Sequence, residues 1–210
     1  MVFDFDDTLV ESEAIKDEIF KKIFSRFPES YASALEFHRQ NGSRPRAEKF
    51  AWLAAREFPS DEDRQKKCVE VCLKEFREKT RQQVAAAPEV RGVSALLSTL
   101  CGRIPLYVAS VNPQEELGFQ IRSRGWERCF GAYFGNPPLP KAEALRQVAW
   151  REKIKFQEVL LVGDSQGDSE AATEVGSLFW MRKRGEQRGD WMDGEDLASK
   201  LKACLSPQFS

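Results

Sequence analysis

Two apolar runs near opposite ends of this 210-residue chain break off abruptly into aspartates. The first begins Val2-Phe3 and runs into Asp4-Phe5-Asp6-Asp7-Thr8. The second, Val159-Leu160-Leu161-Val162, passes through Gly163 to Asp164, with Asp168 four residues further on. Short, nearly continuous apolar runs bounded by turn signals read as strands buried on both faces. Ile104 to Ala109 and Leu178 to Met181 have the same character. Between them Val90, Val93, Leu96, Leu97 and Leu100 keep helical spacing, as do Leu145, Val148 and Ala149 in the stretch opened by Pro140. Strands and helices alternating at this length predict an α/β fold, a Rossmann-like parallel sheet with helices on both faces.

Residues 13 to 86 carry no strand-like run. Ile15, Ile19, Ile23 and Phe27 recur at helical spacing after Ser12, a helix N-cap residue type, and further helical patterns pass through Leu35, Phe50, Leu53, Val69, Leu73 and Phe76. The expected organisation is a core of residues 1–12 and 87–210 interrupted by an all-helical insertion, 13–86. The joints fall near residues 10–13 and 84–89. The many aromatic rings of the insertion sit at helical spacing and read mainly as core.

A hydrophobic share of 41% allows a real core, while a net charge of -1 provides no field that would attract nucleic acid or an anionic membrane. No apolar run is long enough to span a bilayer. The opening residues are acidic where a secretory leader would be basic and then apolar, so a cytoplasmic location is expected. Five cysteines at irregular spacing imply no disulfide framework. Cys68 and Cys72, four apart, read as ordinary residues of one helix face.

The chemistry is concentrated in the aspartates. Side chains two apart on a strand point the same way, so Asp4 and Asp6 face a common side at a strand's carboxyl end, where open α/β sheets bind ligands. Carboxylates held together repel unless a cation or proton lies between them. Asp164 stands at the tip of a second strand, and Asp168 falls where the next helix begins. Four such carboxylates make a hard oxygen site of the kind Mg²⁺ prefers when it shares a phosphate. Ser110 ends the strand at Ala109 and precedes a helix start at Asn112-Pro113-Gln114-Glu115, a natural place for a phosphate oxygen. Lys141 opens the helix after Pro140, a position at odds with the helix dipole unless an anion is near.

These four pieces, in this order, resemble the motifs of the haloacid dehalogenase superfamily. Phe3-Asp4-Phe5-Asp6-Asp7-Thr8-Leu9-Val10 is similar to its first motif, Ser110 to the second, Lys141 to the third and Gly163-Asp164-Ser165-Gln166-Gly167-Asp168 to the fourth. The helical stretch between the first two resembles the inserted cap of the phosphoglycolate phosphatase and beta-phosphoglucomutase-like subfamily. The resemblance implies that Asp4 is a nucleophile forming an aspartyl phosphate and Asp6 the general acid and base. It implies that Ser110 and Lys141 hold the phosphoryl group and that Thr8 braces Asp6. It further implies Mg²⁺ bound by Asp4, the backbone carbonyl of Asp6, Asp164 and Asp168. The retained Asp6 points to phosphate esters. Two departures stand out: Asp7 replaces a customary glycine, so a glycine-like backbone is expected there, and the strand before Asp4 is shorter than in relatives.

Within the insertion, Gly42-Ser43-Arg44 resembles the subfamily's specificity loop, with Arg44 as the substrate-binding candidate and Arg46 and Lys49 behind it. His38, the only histidine, reads as structural or surface-exposed. The expected activity is a phosphatase for a phosphorylated sugar or other small phosphorylated metabolite, acting as monomer or homodimer. A phosphomutase would share every core residue; a non-catalytic binding protein on the same scaffold would not need all of them.

Overall fold

A computed structural model describes residues 1–42 and 44–182. Five parallel strands form one sheet: β1 (Val2–Phe3), β2 (Tyr107–Ser110), β3 (Ala132–Gly135), β4 (Leu160–Gly163) and β5 (Leu178–Met181), in the order β3-β2-β1-β4-β5. The two acid-bearing strands are therefore neighbours, with Val2 opposite Leu161 and Phe3 opposite Val162. Successive residues alternate between two apolar layers, as strand geometry requires. Phe3, Val108 and Val162 join α5 (Val93–Leu100) and α6 (Gln114–Ser123) on one face. Val2, Tyr107 and Leu161 join α7 (Lys141–Glu152) and α8 (Gln166–Val175) on the other.

Before β2 the chain forms α1 (Glu13–Phe24), α2 (Tyr31–Gln40), α3 (Arg46–Glu57) and α4 (Glu62–Ala85). These helices pack around a separate apolar cluster in which Phe20, Phe24, Phe50 and Phe76 meet at centroid distances of 4.5 to 6.1 Å. The segments entering and leaving the bundle lie side by side: Val90 N–H donates to Leu9 O at 3.0 Å and Glu11 N–H to Pro88 O at 3.0 Å. Among the described residues no helix is long and apolar enough to cross a membrane.

Four differences from the sequence reading have simple causes. The second strand begins at Tyr107, not Ile104, because Pro105 interrupts the run and has no N–H to give a ladder. β5 is half exposed, with Leu178 and Met181 each 42% accessible, since it lies at the sheet edge. β3, at the opposite edge, was not anticipated: three residues between Gly131 and Gly135 are too short a run to signal a strand. Cys101 and Cys129 form a disulfide, Cα–Cα 4.9 Å, that joins the end of α5 to the segment before β3. That corrects the expectation of no disulfide, because cysteines 28 residues apart become neighbours only through the tertiary fold. Residues 183–210, assigned from sequence to the core, lie outside the described residues.

Candidate active site

Parallel β1 and β4 bring Asp4 and Asp164 to the same sheet end. Asp4 N–H donates to Val162 O at 2.8 Å, which fixes its backbone against β4. Asp168 is delivered from the first turn of α8 by a reciprocal cap: Ser165 Oγ and N–H both donate to Asp168 Oδ2, at 2.6 and 3.1 Å. Gly163 allows this fold-back, since a Cβ there would lie 2.4 Å from Asp168 Cγ. Carboxylate oxygens of Asp4, Asp164 and Asp168 consequently lie within 4.8 Å of one another.

Lys141, first residue of α7, spans this cluster. Its Nζ is 2.8 Å from Asp4 Oδ1 and also donates to Asp168 Oδ1. One ammonium does not neutralise three carboxylates. Burial, which outweighs Lys141, and the neighbouring Asp168, Asp6 and Asp164 push Asp4 up to about 8. Burial and then Asp168 push Asp164 up to about 7. Burial opposes the charge on Lys141, but Asp4 and Asp168 more than offset it and raise its proton affinity. A buried oxygen cluster with surplus negative charge suits a hard divalent cation, which Asp4, Asp164 and Asp168 could hold.

Asp6 faces a different set of partners. Ser12 Oγ donates to its Oδ1 at 2.5 Å, Asn112 Nδ2 to its Oδ2 at 2.9 Å, and the Lys16 ammonium lies 2.6 Å from Oδ2. Burial works against the charged form, yet Lys16, Ser12 and Asn112 together prevail and hold Asp6 below the ordinary carboxylate range. Asp4, Asp6, Lys141 and Asp164 open onto one cavity of about 430 Å³, whose opposite wall comes from α1–α3.

The sequence model for haloacid dehalogenase-like hydrolases matches residues 1–181. The chain belongs to the haloacid dehalogenase-like hydrolase family. No curated relative matches at a significant level. Similar solved structures include a haloacid dehalogenase-like hydrolase from Streptococcus pneumoniae, TM-score 0.68 at 20% identity over 99% of this chain and 97% of that one. A predicted phosphoglycolate phosphatase from Haemophilus somnus matches with TM-score 0.67 at 18% identity over 96% of each chain. A predicted beta-phosphoglucomutase from Thermotoga maritima matches with TM-score 0.64 at 20% identity over 96% of this chain and 97% of that one. These structural likenesses show a shared fold.

In this hydrolase the acids and Lys141 named from sequence converge, but several neighbours differ from expectation. Ser110 is buried at the end of β2, where its Oγ accepts the Asn112 N–H at 3.1 Å. Asn112 is not the helix cap, because α6 begins one residue later with Pro113 at the cap position; its amide is freed to bind Asp6. Thr8, expected to brace Asp6, is buried and its hydroxyl has no hydrogen-bond partner among the described residues; Ser12 takes that place. Asp7 adopts φ 50, the glycine-like backbone anticipated. Its Oδ1 accepts the N–H groups of Ser12 and Glu13, both at 2.9 Å, so Asp7 caps α1 and leaves the Ser12 hydroxyl for Asp6. Arg44 lines the cavity but is exposed and pairs with Glu48 at 3.2 Å; Ser43 beside it lies outside the described residues. Lys16, and Arg182 donating to Asp7 O, were not foreseen. Lys16 sits four residues after Ser12 on one helix face, a spacing that could have suggested it.

Proposed function

We propose that this hydrolase is a Mg²⁺-dependent phosphatase acting on a small phosphorylated metabolite through an aspartyl-phosphate intermediate. The observation that carries the reading is Lys141, 2.8 Å from Asp4 and bonded to Asp168, in the lining of a cavity that also holds Asp6. A cation and two differently tuned carboxylates converging on one point suit in-line phosphoryl transfer, where catalysis is chiefly positioning and charge.

In this reading an Asp4 carboxylate oxygen attacks phosphorus as the ester P–O bond breaks, and Asp6 gives a proton to the departing alcohol. Asp6 then takes a proton from water, whose oxygen attacks phosphorus as the bond to Asp4 breaks, releasing phosphate. The low proton affinity of Asp6 in the free protein suits the second step; the first requires the Lys16 contact to be relieved by substrate. Lys141 faces the phosphoryl oxygens, and Ser110 supports them from the end of β2. Asp4, Asp164, Asp168 and the Asp6 carbonyl would hold Mg²⁺, which would supply the positive charge that offsets repulsion between an anionic nucleophile and an anionic ester. Residues 13–86 are read as a cap over a core of 1–12 and 87 onward.

Phosphate release from a panel of sugar phosphates and an aryl phosphate, with and without Mg²⁺, tests this beside Asp4→Asn. Mg²⁺-dependent release lost in the variant supports the reading. No release by folded wild-type protein overturns it, and transfer of phosphate within a sugar without net release would make the protein a mutase.

A further inference from the structure

The inserted bundle carries a second concavity, separate from the one that holds Asp4 and Asp6. It lies where the turn after α1, the end of α3 and the first half of α4 meet, has a volume of about 370 Å³ and shares no lining residue with the acidic cavity. Its floor is apolar: Phe27, Phe58 and Val71, with Cys68 and Cys72 between them. Val71 is 47% accessible, an aliphatic side chain left to solvent on a helix whose buried positions are Cys72, Phe76, Thr80 and Val84. Burial pushes both thiols up, Cys72 to about 12, so they present neutral sulfur to the groove.

The rim is basic. Arg26, Arg64 and Lys67 line the groove, and no acidic residue does. Arg64, Lys67, Cys68 and Val71 recur three or four apart, so α4 turns them along one face. The carboxylates nearby do not exhaust these cations. Glu75 binds Arg26 Nη1 at 2.8 Å, and Arg26 Nη2 donates to Cys72 Sγ at 3.6 Å. Asp61 stands 3.8 Å from Arg64 Nε, too far for a hydrogen bond. Lys66 turns to Glu62 and Asp63, but Lys67 has no ion-pair partner among the described residues. Arg26 and Arg64 lie over the Phe27 and Phe58 rings at 5.8 and 5.2 Å, which holds their guanidinium groups at the edge of the apolar surface.

We propose that this groove binds a small amphiphilic carboxylate, its apolar tail on Phe27, Phe58 and Val71 and its head group on Lys67 and the two arginines. Charge complementarity selects that class. An uncharged apolar ligand would leave the cations unused, and an amine would meet like charges on every side of the rim. The volume is that of a small-molecule site, an apolar surface with a few convergent polar groups. The site is independent of phosphoryl transfer, yet α4 reaches both concavities: Cys72 lines the groove and Phe76, one helical turn on, lines the acidic cavity.

Cys68 reports on the groove because its sulfur forms part of the floor. Binding of 4-phenylbutyrate, 4-phenylbutanol and 4-phenylbutylamine to the full chain is measured by calorimetry, while alkylation of Cys68 by iodoacetamide is followed by peptide mass spectrometry. The carboxylate is expected to bind about 10- to 100-fold more tightly than the alcohol, the worth of one charge-assisted hydrogen bond, and the amine least tightly. It should slow Cys68 alkylation in proportion to its occupancy. Lys67→Glu, at an exposed position, should weaken the carboxylate by about tenfold or more and leave the alcohol unchanged. No binding, or equal affinity for carboxylate and alcohol, overturns the proposal. So does selective binding that neither protects Cys68 nor responds to Lys67→Glu, which would put the ligand elsewhere on the chain. Should Lys67→Glu fail to fold, the selectivity and Cys68 protection of the wild-type protein decide alone.

Discussion

The Lys16 ammonium lies 2.6 Å from Asp6 Oδ2 and reaches it from the first helix of the bundle, across the segment that joins bundle to sheet. The residue read as the general acid and base is thus electrostatically tied to the element that forms the other side of its cavity. That contact favours the ionised carboxylate.

Replacing Lys16 with Met should therefore raise the proton affinity of Asp6. In a pH profile of kcat/KM, the limb that reports Asp6 should move upward by roughly one unit, the usual scale for removing a close opposite charge. An unmoved limb would mean that Lys16 does not set the protonation of Asp6 during turnover.

Metal should matter more as pH rises. Asp164 is raised to about 7 and Asp4 to about 8, whereas an unfolded aspartate titrates at about 4. Between those values the folded metal-free protein holds protons that the unfolded chain has released, so its stability declines as pH climbs through that window. A cation bound to the ionised carboxylates opposes the decline. The Tm difference between Mg²⁺ and EDTA samples should grow from pH 5 to pH 8; a constant difference would contradict this electrostatic account.

Asp7 combines φ 50 with two hydrogen bonds to the start of α1. Asp7→Gly loses the cap but suits the backbone, and should cost about 1 kcal/mol. Asp7→Ala loses the cap and places a Cβ in the left-handed region, for about 2 kcal/mol in total. Urea denaturation should rank the two in that order. The reverse order would show that the left-handed backbone, not the lost cap, is the wrong part of this account of Asp7.

Glu116 of α6 receives Arg46 of α3, Nη1 to Oε2 at 2.8 Å, and stands 3.4 Å from Arg77 of α4. Both Arg46 and Glu116 side chains are at most 15% accessible. Glu116→Ala should destabilise by about 1 to 3 kcal/mol by leaving a shielded guanidinium without its partner. A double-mutant cycle with Arg46→Ala should show coupling of about 1 kcal/mol or more; additive effects would reduce the pair to a surface contact.

The sheet core was legible because its signals are local. A buried parallel strand must be apolar throughout, and its carboxyl end can tolerate an acid only where a ligand, a cation or a cap awaits it. Val2-Phe3 with Asp4, Leu160 to Val162 with Asp164, and Lys141 behind Pro140 carry that logic in a few residues each. The bundle's helices were equally readable from the spacing of Ile19, Ile23, Phe50 and Phe76. What a polar residue does inside that bundle was not. His38 looks like any helix histidine until Asp17, from one helix, and Lys49, from another, are brought to its two nitrogens. Ser12 looks like a helix cap until Asp7 takes over that task and leaves its hydroxyl for Asp6. Cys101 meets Cys129, and Arg46 meets Glu116, only when separate segments pack. Periodicity and strand-end chemistry are properties of a short stretch of chain, so the sequence alone determined the fold and the acidic cluster. The partner of a side chain is a property of the space between elements, and that the tertiary structure alone decided.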